Sequence, residues 1–153
     1  MKKVLFVCTG NTCRSPMAAA LFSRLAELES PDFGFIAASA GLNACPDQPA
    51  SENAILALKD YPGSKLSGHR AHKVNRKDIE EAFLVLTMEL SHKQFLLSAC
   101  PDQHQKVFTL KEYVYGTSGD IKDPFTKGLS VYRQCAQEIA EAVEKLIIKL
   151  KKY

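Results

Sequence analysis

Two cysteines, an arginine and a serine fall within nine residues near the start of the chain, in "VCTGNTCRS" (Val7–Ser15). The stretch follows an apolar run and precedes Pro16, so it reads as the turn between a strand and a helix. Backbone N–H groups in such a turn can curl into a nest for an oxyanion, and a helix that begins there aims its positive end at the same point. Gly10 is expected to allow a backbone shape closed to other residues. Arg14 adds a planar fork able to hold two oxygens at once. Thr9, Gly10, Asn11, Thr12, Cys13 and Ser15 are then the residues that line a bound phosphoryl group. Cys8 turns the cradle into a reaction centre. A thiol facing N–H donors, a helix N-terminus and an arginine is expected to ionise well below the roughly 8.5 of a free cysteine, and Ser15 can donate to its sulfur. A lone cysteine after a strand is usually a packing residue, whereas C-x5-R-S at a strand-to-helix turn favours a nucleophile.

Attack on phosphorus leaves a departing group that needs a proton and then a water that needs a base, so a carboxylate must reach the cradle from elsewhere. A polar segment from Lys111 to Gly128, read as one long loop, carries Glu112, Asp120 and Asp123. Asp123 is favoured as the general acid and base because Pro124 fixes the backbone beside it.

The elements that must position these groups follow from hydrophobic pattern. Lys2–Val7, Phe33–Ala40, Phe83–Met88 and Lys106–Leu110 read as strands. Pro16–Glu29 (with Met17, Ala20, Leu21, Leu25 and Leu28 on one face), Pro49–Asp60, Arg76–Ala82, Glu89–Ala99 and a long closing segment from Leu129 read as helices. The alternation predicts an α/β fold: a three-layer, doubly wound sandwich around a four-stranded parallel sheet, with the phosphate-binding loop after the first strand. No linker or repeat divides the chain, so residues 1–153 form one domain.

Composition removes other classes. A net charge of +3 with interspersed signs argues against nucleic acid, and no apolar stretch approaches the roughly 18 residues of a membrane span. Five cysteines at irregular spacing fit neither a disulfide framework nor a zinc site, so a cytoplasmic protein with reduced thiols is expected, without metal or other cofactor and as a monomer. Cys45, Cys100 and Cys135 read as packing or surface thiols, and His72, His92 and His104 as surface or helix residues. The first loop has only Gly10 where a dinucleotide site would show G-x-G-x-x-G, which disfavours a non-catalytic nucleotide-binding module.

"VCTGNTCRSPMA" resembles the signature of the low-molecular-weight protein tyrosine phosphatase family, and the likeness continues through Ser39-Ala40-Gly41, His69-Arg70-Ala71 and Asp123-Pro124-Phe125. The resemblance implies a metal-free phosphatase with a phosphocysteine intermediate: Cys8 as nucleophile, Arg14 as phosphate clamp, Asp123 as general acid and then base. It implies further that Asn11 and Ser15, backed by Ser39, hold the loop, and that His69 supports it through Asn11. Cys13 has two open readings, a small packing residue or a redox partner that shields Cys8 in a disulfide. Thr12 and Phe125 stand where tyrosine-specific members carry a bulkier aliphatic residue and a tyrosine or tryptophan. "KVFTLKEYVYGTSGDIKDPF" is most similar to bacterial protein-arginine phosphatases. Phosphoarginine on proteins is therefore the expected substrate, with phosphotyrosine as the alternative. Arsenate reduction is disfavoured, since Cys100 has no cysteine near it in sequence.

Overall fold

Strand β1 (Lys2–Cys8) is apolar on both faces because it lies between two layers of helices. Val4, Phe6 and Cys8 face the larger core, and Leu5 and Val7 the smaller one. The computed structural model describes all residues, Met1–Tyr153. β1 pairs in parallel with β2 (Phe35–Gly41) on one side and with β3 (Leu84–Thr87) on the other, and β3 pairs in parallel with β4 (Val107–Thr109). The order β2-β1-β3-β4 makes a doubly wound sheet whose switch point lies between β1 and β3. The loops after these two strands therefore meet at one end of the sheet.

Helices α1 (Arg14–Ala26), α2 (Glu52–Ala57) and α6 (Leu129–Leu150) pack together over the larger core. Ile79 of α3 (Arg76–Glu81) and Leu96 of α4 (Leu90–Ala99) lie in the smaller core. No helix is long and apolar enough to cross a membrane.

Several expected boundaries move. The segment Lys111–Gly128 is not one loop: Leu110–Tyr115 forms helix α5, started by a capping box in which Thr109 Oγ1 accepts from the Glu112 N–H and Glu112 accepts from the Thr109 N–H. Glu112 is thereby tied to α5 and to Lys93, and only Gly116–Gly128 remains irregular. α1 ends at Ala26, so Leu28 lies beyond it and is 77% exposed rather than on the buried face. The second helix is shorter than Pro49–Asp60, starting after Ser51, whose hydroxyl accepts from the Ala54 N–H, and tightening into a 3-10 turn at Leu58–Asp60.

Candidate active site

The turn from Cys8 to Ser15 lies at the junction of β1 and α1, with Cys8, Asn11, Cys13, Arg14 and Ser15 buried and Thr9 exposed, and is held from several directions. Asn11, not Gly10, takes the left-handed conformation, with φ of 57°. Asn accepts this conformation at smaller cost than most residues, and every polar group of Asn11 is used. Its N–H meets Cys8 Sγ at 3.3 Å, its Nδ2 donates to Ser15 Oγ at 2.8 Å, its Oδ1 accepts from the His72 N–H at 2.9 Å, and its carbonyl accepts from His69 Nε2 at 2.7 Å. Gly10 has ordinary backbone, and a Cβ there would meet only Thr12 Oγ1, at 3.8 Å. The tight approach is at Gly41 instead. A Cβ on Gly41 would come within 2.6 Å of the Thr9 carbonyl oxygen and 2.9 Å of the Asn11 nitrogen.

Cys8 Sγ lies 2.9 Å from Ser15 Oγ. Burial pushes the Cys8 thiol up from its ordinary value, and the Ser15 hydrogen bond, Arg14 and the Asn11 N–H pull against it. The expectation of a strongly acidic thiol is thus corrected: the depth of the sulfur is the largest influence, and its hydrogen bonds counter it. The first turn of α1 has no side-chain cap and no acidic residue, which leaves its N–H groups to an anion. Ser39 was expected behind the loop, but the hydrogen bond from β2 comes from the neighbouring Ala40, whose carbonyl accepts from Ser15 Oγ at 3.4 Å. Ser39 instead borders a separate surface hollow with Pro16, Lys65 and His69.

Arg14 is 2% exposed. Its Nη1 donates to Glu89 Oε2 at 2.5 Å and to the Ile121 carbonyl at 2.6 Å, and its Nη2 stands 3.6 Å from Asp123 Oδ2. These contacts orient the guanidinium between the two loops. Asp123 and Phe125 join Thr12, Gln48 and the Cys8–Arg14 turn around a cleft of about 210 Å³. Asp120 is turned elsewhere, its Oδ1 accepting from the Leu90 N–H at the start of α4. Glu112 is in α5. Of the three acids weighed, Asp123 alone borders the cleft.

Cys13 is buried, with Ser51 Oγ and Tyr132 Oη each 3.4 Å from its sulfur. Burial, together with that sulfur, pushes the Tyr132 hydroxyl up to about 12. All five cysteines are free thiols, Cys45 exposed and Cys100 and Cys135 buried. Burial pushes Cys135 up to about 12. No three His, Cys, Asp or Glu side chains come together as a metal site would require.

The roles of Gln48 on the cleft wall, of Glu89 and of His92 escaped the sequence reading. Glu89 holds Arg14, and His92, expected as a surface or helix residue, lies in helix α4 but is 4% exposed, with its Nε2 2.9 Å from Thr9 Oγ1. The available signal was positional: a residue following β3 must face the loop after β1 if β1 and β3 are neighbours.

The whole chain finds counterparts among known proteins. The model of the low molecular weight phosphotyrosine protein phosphatase family matches residues 3–153. A protein-arginine-phosphatase of Bacillus subtilis is 42% identical over 149 residues, covering 97% of each chain. The low molecular weight protein-tyrosine-phosphatase PtpB of Staphylococcus epidermidis is 35% identical over 147 residues, covering 96% of this chain and 98% of that one. A solved structure of the YwlE arginine phosphatase, a variant with a phosphorylated active-site serine, superposes with a TM-score of 0.92 at 41% identity, covering 98% of this chain and 96% of that one.

Proposed function

The chain belongs to the low molecular weight phosphotyrosine protein phosphatase family, and on that premise we propose that it removes phosphoryl groups from arginine side chains of proteins through a phosphocysteine intermediate. The observation that carries the arginine reading is the makeup of the cleft: a threonine, Thr12, on the phosphate loop and a carboxylate, Asp123, on the facing loop. A guanidinium is planar and presents only N–H donors. Asp123 supplies an acceptor for them, the Thr12 hydroxyl keeps that rim polar, and Phe125, 61% exposed, offers a face for stacking.

In the reaction, the Cys8 thiolate attacks phosphorus, the S–P bond forms and the N–P bond breaks. Asp123, protonated, gives its proton to the departing guanidine nitrogen. Water then attacks phosphorus and loses its proton to Asp123; the S–P bond breaks, and inorganic phosphate leaves with Cys8 restored as thiolate. Arg14 and the backbone N–H groups of the loop neutralise the phosphoryl oxygens throughout. Ser15 and Asn11 steady the sulfur, and His69 steadies Asn11. Cys13 sits in the same loop as a candidate redox partner for Cys8, which would first have to give up Ser51 and Tyr132.

The enzyme acts as a single domain on phosphorylated proteins, and we assign it to the cytoplasm as a monomer, the compartment suiting its free thiols. Phosphotyrosine is the second reading, supported by the similarity to tyrosine phosphatases such as PtpB. The test is kcat/KM on matched phosphoarginine and phosphotyrosine peptides with EDTA present. Preference for phosphoarginine is expected. Preference for phosphotyrosine would replace the arginine assignment, and no turnover of either would end the phosphatase reading.

A further inference from the structure

His92 is a buried histidine that the reaction above leaves unused. It sits in the first turn of α4, where the loop after β3 meets the loop after β1. Its Nδ1 faces the Glu89 N–H at 3.1 Å, and its Nε2 faces Thr9 Oγ1 at 2.9 Å. A backbone N–H can only donate, so Nδ1 must accept. The ring proton of the neutral imidazole is therefore on Nε2, and Thr9 Oγ1 receives it. Burial pushes His92 below the ordinary histidine range, and Arg14 acts in the same direction against the carboxylates of Glu89, Asp120 and Asp123. The ring remains neutral and its tautomer is fixed from both sides.

Consequences follow for Thr9, whose side chain is exposed at the cleft directly after the nucleophile. A threonine hydroxyl has one proton and two lone pairs. With one lone pair taken by His92 Nε2–H, the hydroxyl proton must go to an acceptor elsewhere. The cleft beside Thr9 is where a phosphoryl group, rich in acceptor oxygens, is expected to bind. The same turn of α4 carries Glu89, which holds Arg14. One short segment thus orients a hydroxyl donor and the guanidinium fork toward the same anion.

We propose that His92 is a positioning residue of the phosphoryl-transfer site, whose Nε2–H fixes the Thr9 hydroxyl as an additional donor to a phosphoryl oxygen. This rests on the phosphatase reading and not on the arginine assignment. It adds a side-chain donor to a cradle otherwise built from backbone N–H groups and Arg14. A neutral ring does so without a second buried cation beside Arg14.

The test uses p-nitrophenyl phosphate turnover and competitive inhibition by inorganic phosphate, so a failure of the arginine assignment on peptides leaves it intact. Thr9→Val should lower kcat/KM roughly ten- to hundredfold and weaken phosphate inhibition, and Thr9→Ser should restore most of both. His92→Asn leaves an amide oxygen near the Glu89 N–H but withdraws the donor from Thr9, and it should fall as far as Thr9→Val. His92→Gln, whose amide reaches toward the Nε2 position, should recover part of the loss. The Thr9→Val, His92→Asn double variant should be no slower than the worse single variant. Multiplying losses in the double variant would mean that His92 acts only on structure. Unchanged turnover and phosphate inhibition in Thr9→Val, which sits at the surface and keeps the fold, would overturn the proposal outright.

Discussion

Two loops face each other across the cleft, and they are built in opposite ways. The Cys8–Ser15 turn has Cys8, Asn11, Cys13, Arg14 and Ser15 buried, and Asn11 alone is tied to Cys8, Ser15, His69 and His72. The Gly116–Gly128 segment is anchored near its middle, where Ile121 is buried, donates its N–H to the Met88 carbonyl and accepts from Arg14. Beyond that anchor Asp123 and Phe125 stand exposed. The rigid side has a fixed ligand to hold, a tetrahedral phosphoryl group whose charge must be met by donors already in place. The open side must admit a side chain still attached to a protein, and it must exchange a proton with both the leaving group and water. The phosphoryl group is thus held and attacked in the buried loop, while proton transfer and discrimination between substrates fall to the open side and the rim.

The first way to break this division is at its buried centre. Cys8→Ser should lower turnover by roughly 10⁴-fold or more on every phosphorylated substrate, because a hydroxyl is a far weaker nucleophile in the same geometry. Inorganic phosphate should still bind, since the N–H groups and Arg14 are untouched. Steady-state assays with phosphate-inhibition or calorimetric binding check both halves. A variant that retains near-normal turnover ends the phosphocysteine mechanism.

On the open side, Asp123→Asn should cost about 10² to 10⁴-fold in kcat, the span of a general acid and base. The loss should be larger on phosphoarginine peptides than on p-nitrophenyl phosphate, whose leaving group departs without a proton. Equal losses on the two would show that Asp123 acts in the step they share, hydrolysis of the phosphocysteine, or by orienting Arg14, 3.6 Å away, and not as the acid for the leaving group.

How far the sequence reveals each side follows the same physics. The buried loop is legible because its chemistry is local: Cys8, Asn11, Arg14 and Ser15 act within eight positions of one another, so spacing alone suggests a cradle. The central strands β1 and β3 are legible because their apolar runs are nearly continuous, as burial on two faces demands, whereas edge strand β2 carries exposed Ile36 and half-buried Ser39. What the sequence hides is contact across the sheet. Glu89 and His92 reach Arg14 and Thr9 only because β3 lies beside β1, and strand order is not written in any one strand. Gly41 serves the loop for the same reason, by allowing β2 to end against Thr9 and Asn11. Helix α5 was legible in principle, since Thr109 and Glu112 spell a capping box, but the Gly, Ser and Asp that follow masked it. The depth of Cys8, which opposes its ionisation, appears only once both helical layers are in place.

The rim is sharpened by Thr12→Ile. Thr12 is half-buried on the cleft wall, its hydroxyl 3.7 Å from Cys13 Sγ. Isoleucine removes that hydroxyl and adds hydrocarbon beside the position of the leaving group. An aryl ring tolerates such a wall; a guanidinium loses a polar neighbour. The ratio of kcat/KM on phosphoarginine to phosphotyrosine peptides should fall by about 1–3 kcal/mol in discrimination, with small aryl phosphates still turned over. An unchanged ratio would remove Thr12 from specificity.

The smallest effect returns to the buried side and concerns the proton on Cys8. Burial pushes that thiol up, and the Ser15 hydroxyl is foremost among the groups pulling it down. Ser15→Ala removes a hydrogen bond that favours the thiolate and leaves burial less opposed. The thiol should therefore titrate at higher pH than in the parent, and at any fixed pH below its midpoint the thiolate fraction should drop. The rate of Cys8 alkylation by iodoacetamide, measured against pH, reads this midpoint directly, with Cys8→Ser as the blank for the other four thiols. The same change strips Asn11 Nδ2 of its partner inside the protein, so a stability loss of about 1–3 kcal/mol should accompany it in urea unfolding. A midpoint that stays put or moves down would mean that Arg14 and the N–H groups of the loop govern the sulfur without Ser15. The serine would then serve only to pin Asn11 in its left-handed turn, and the stability loss would remain as its whole contribution.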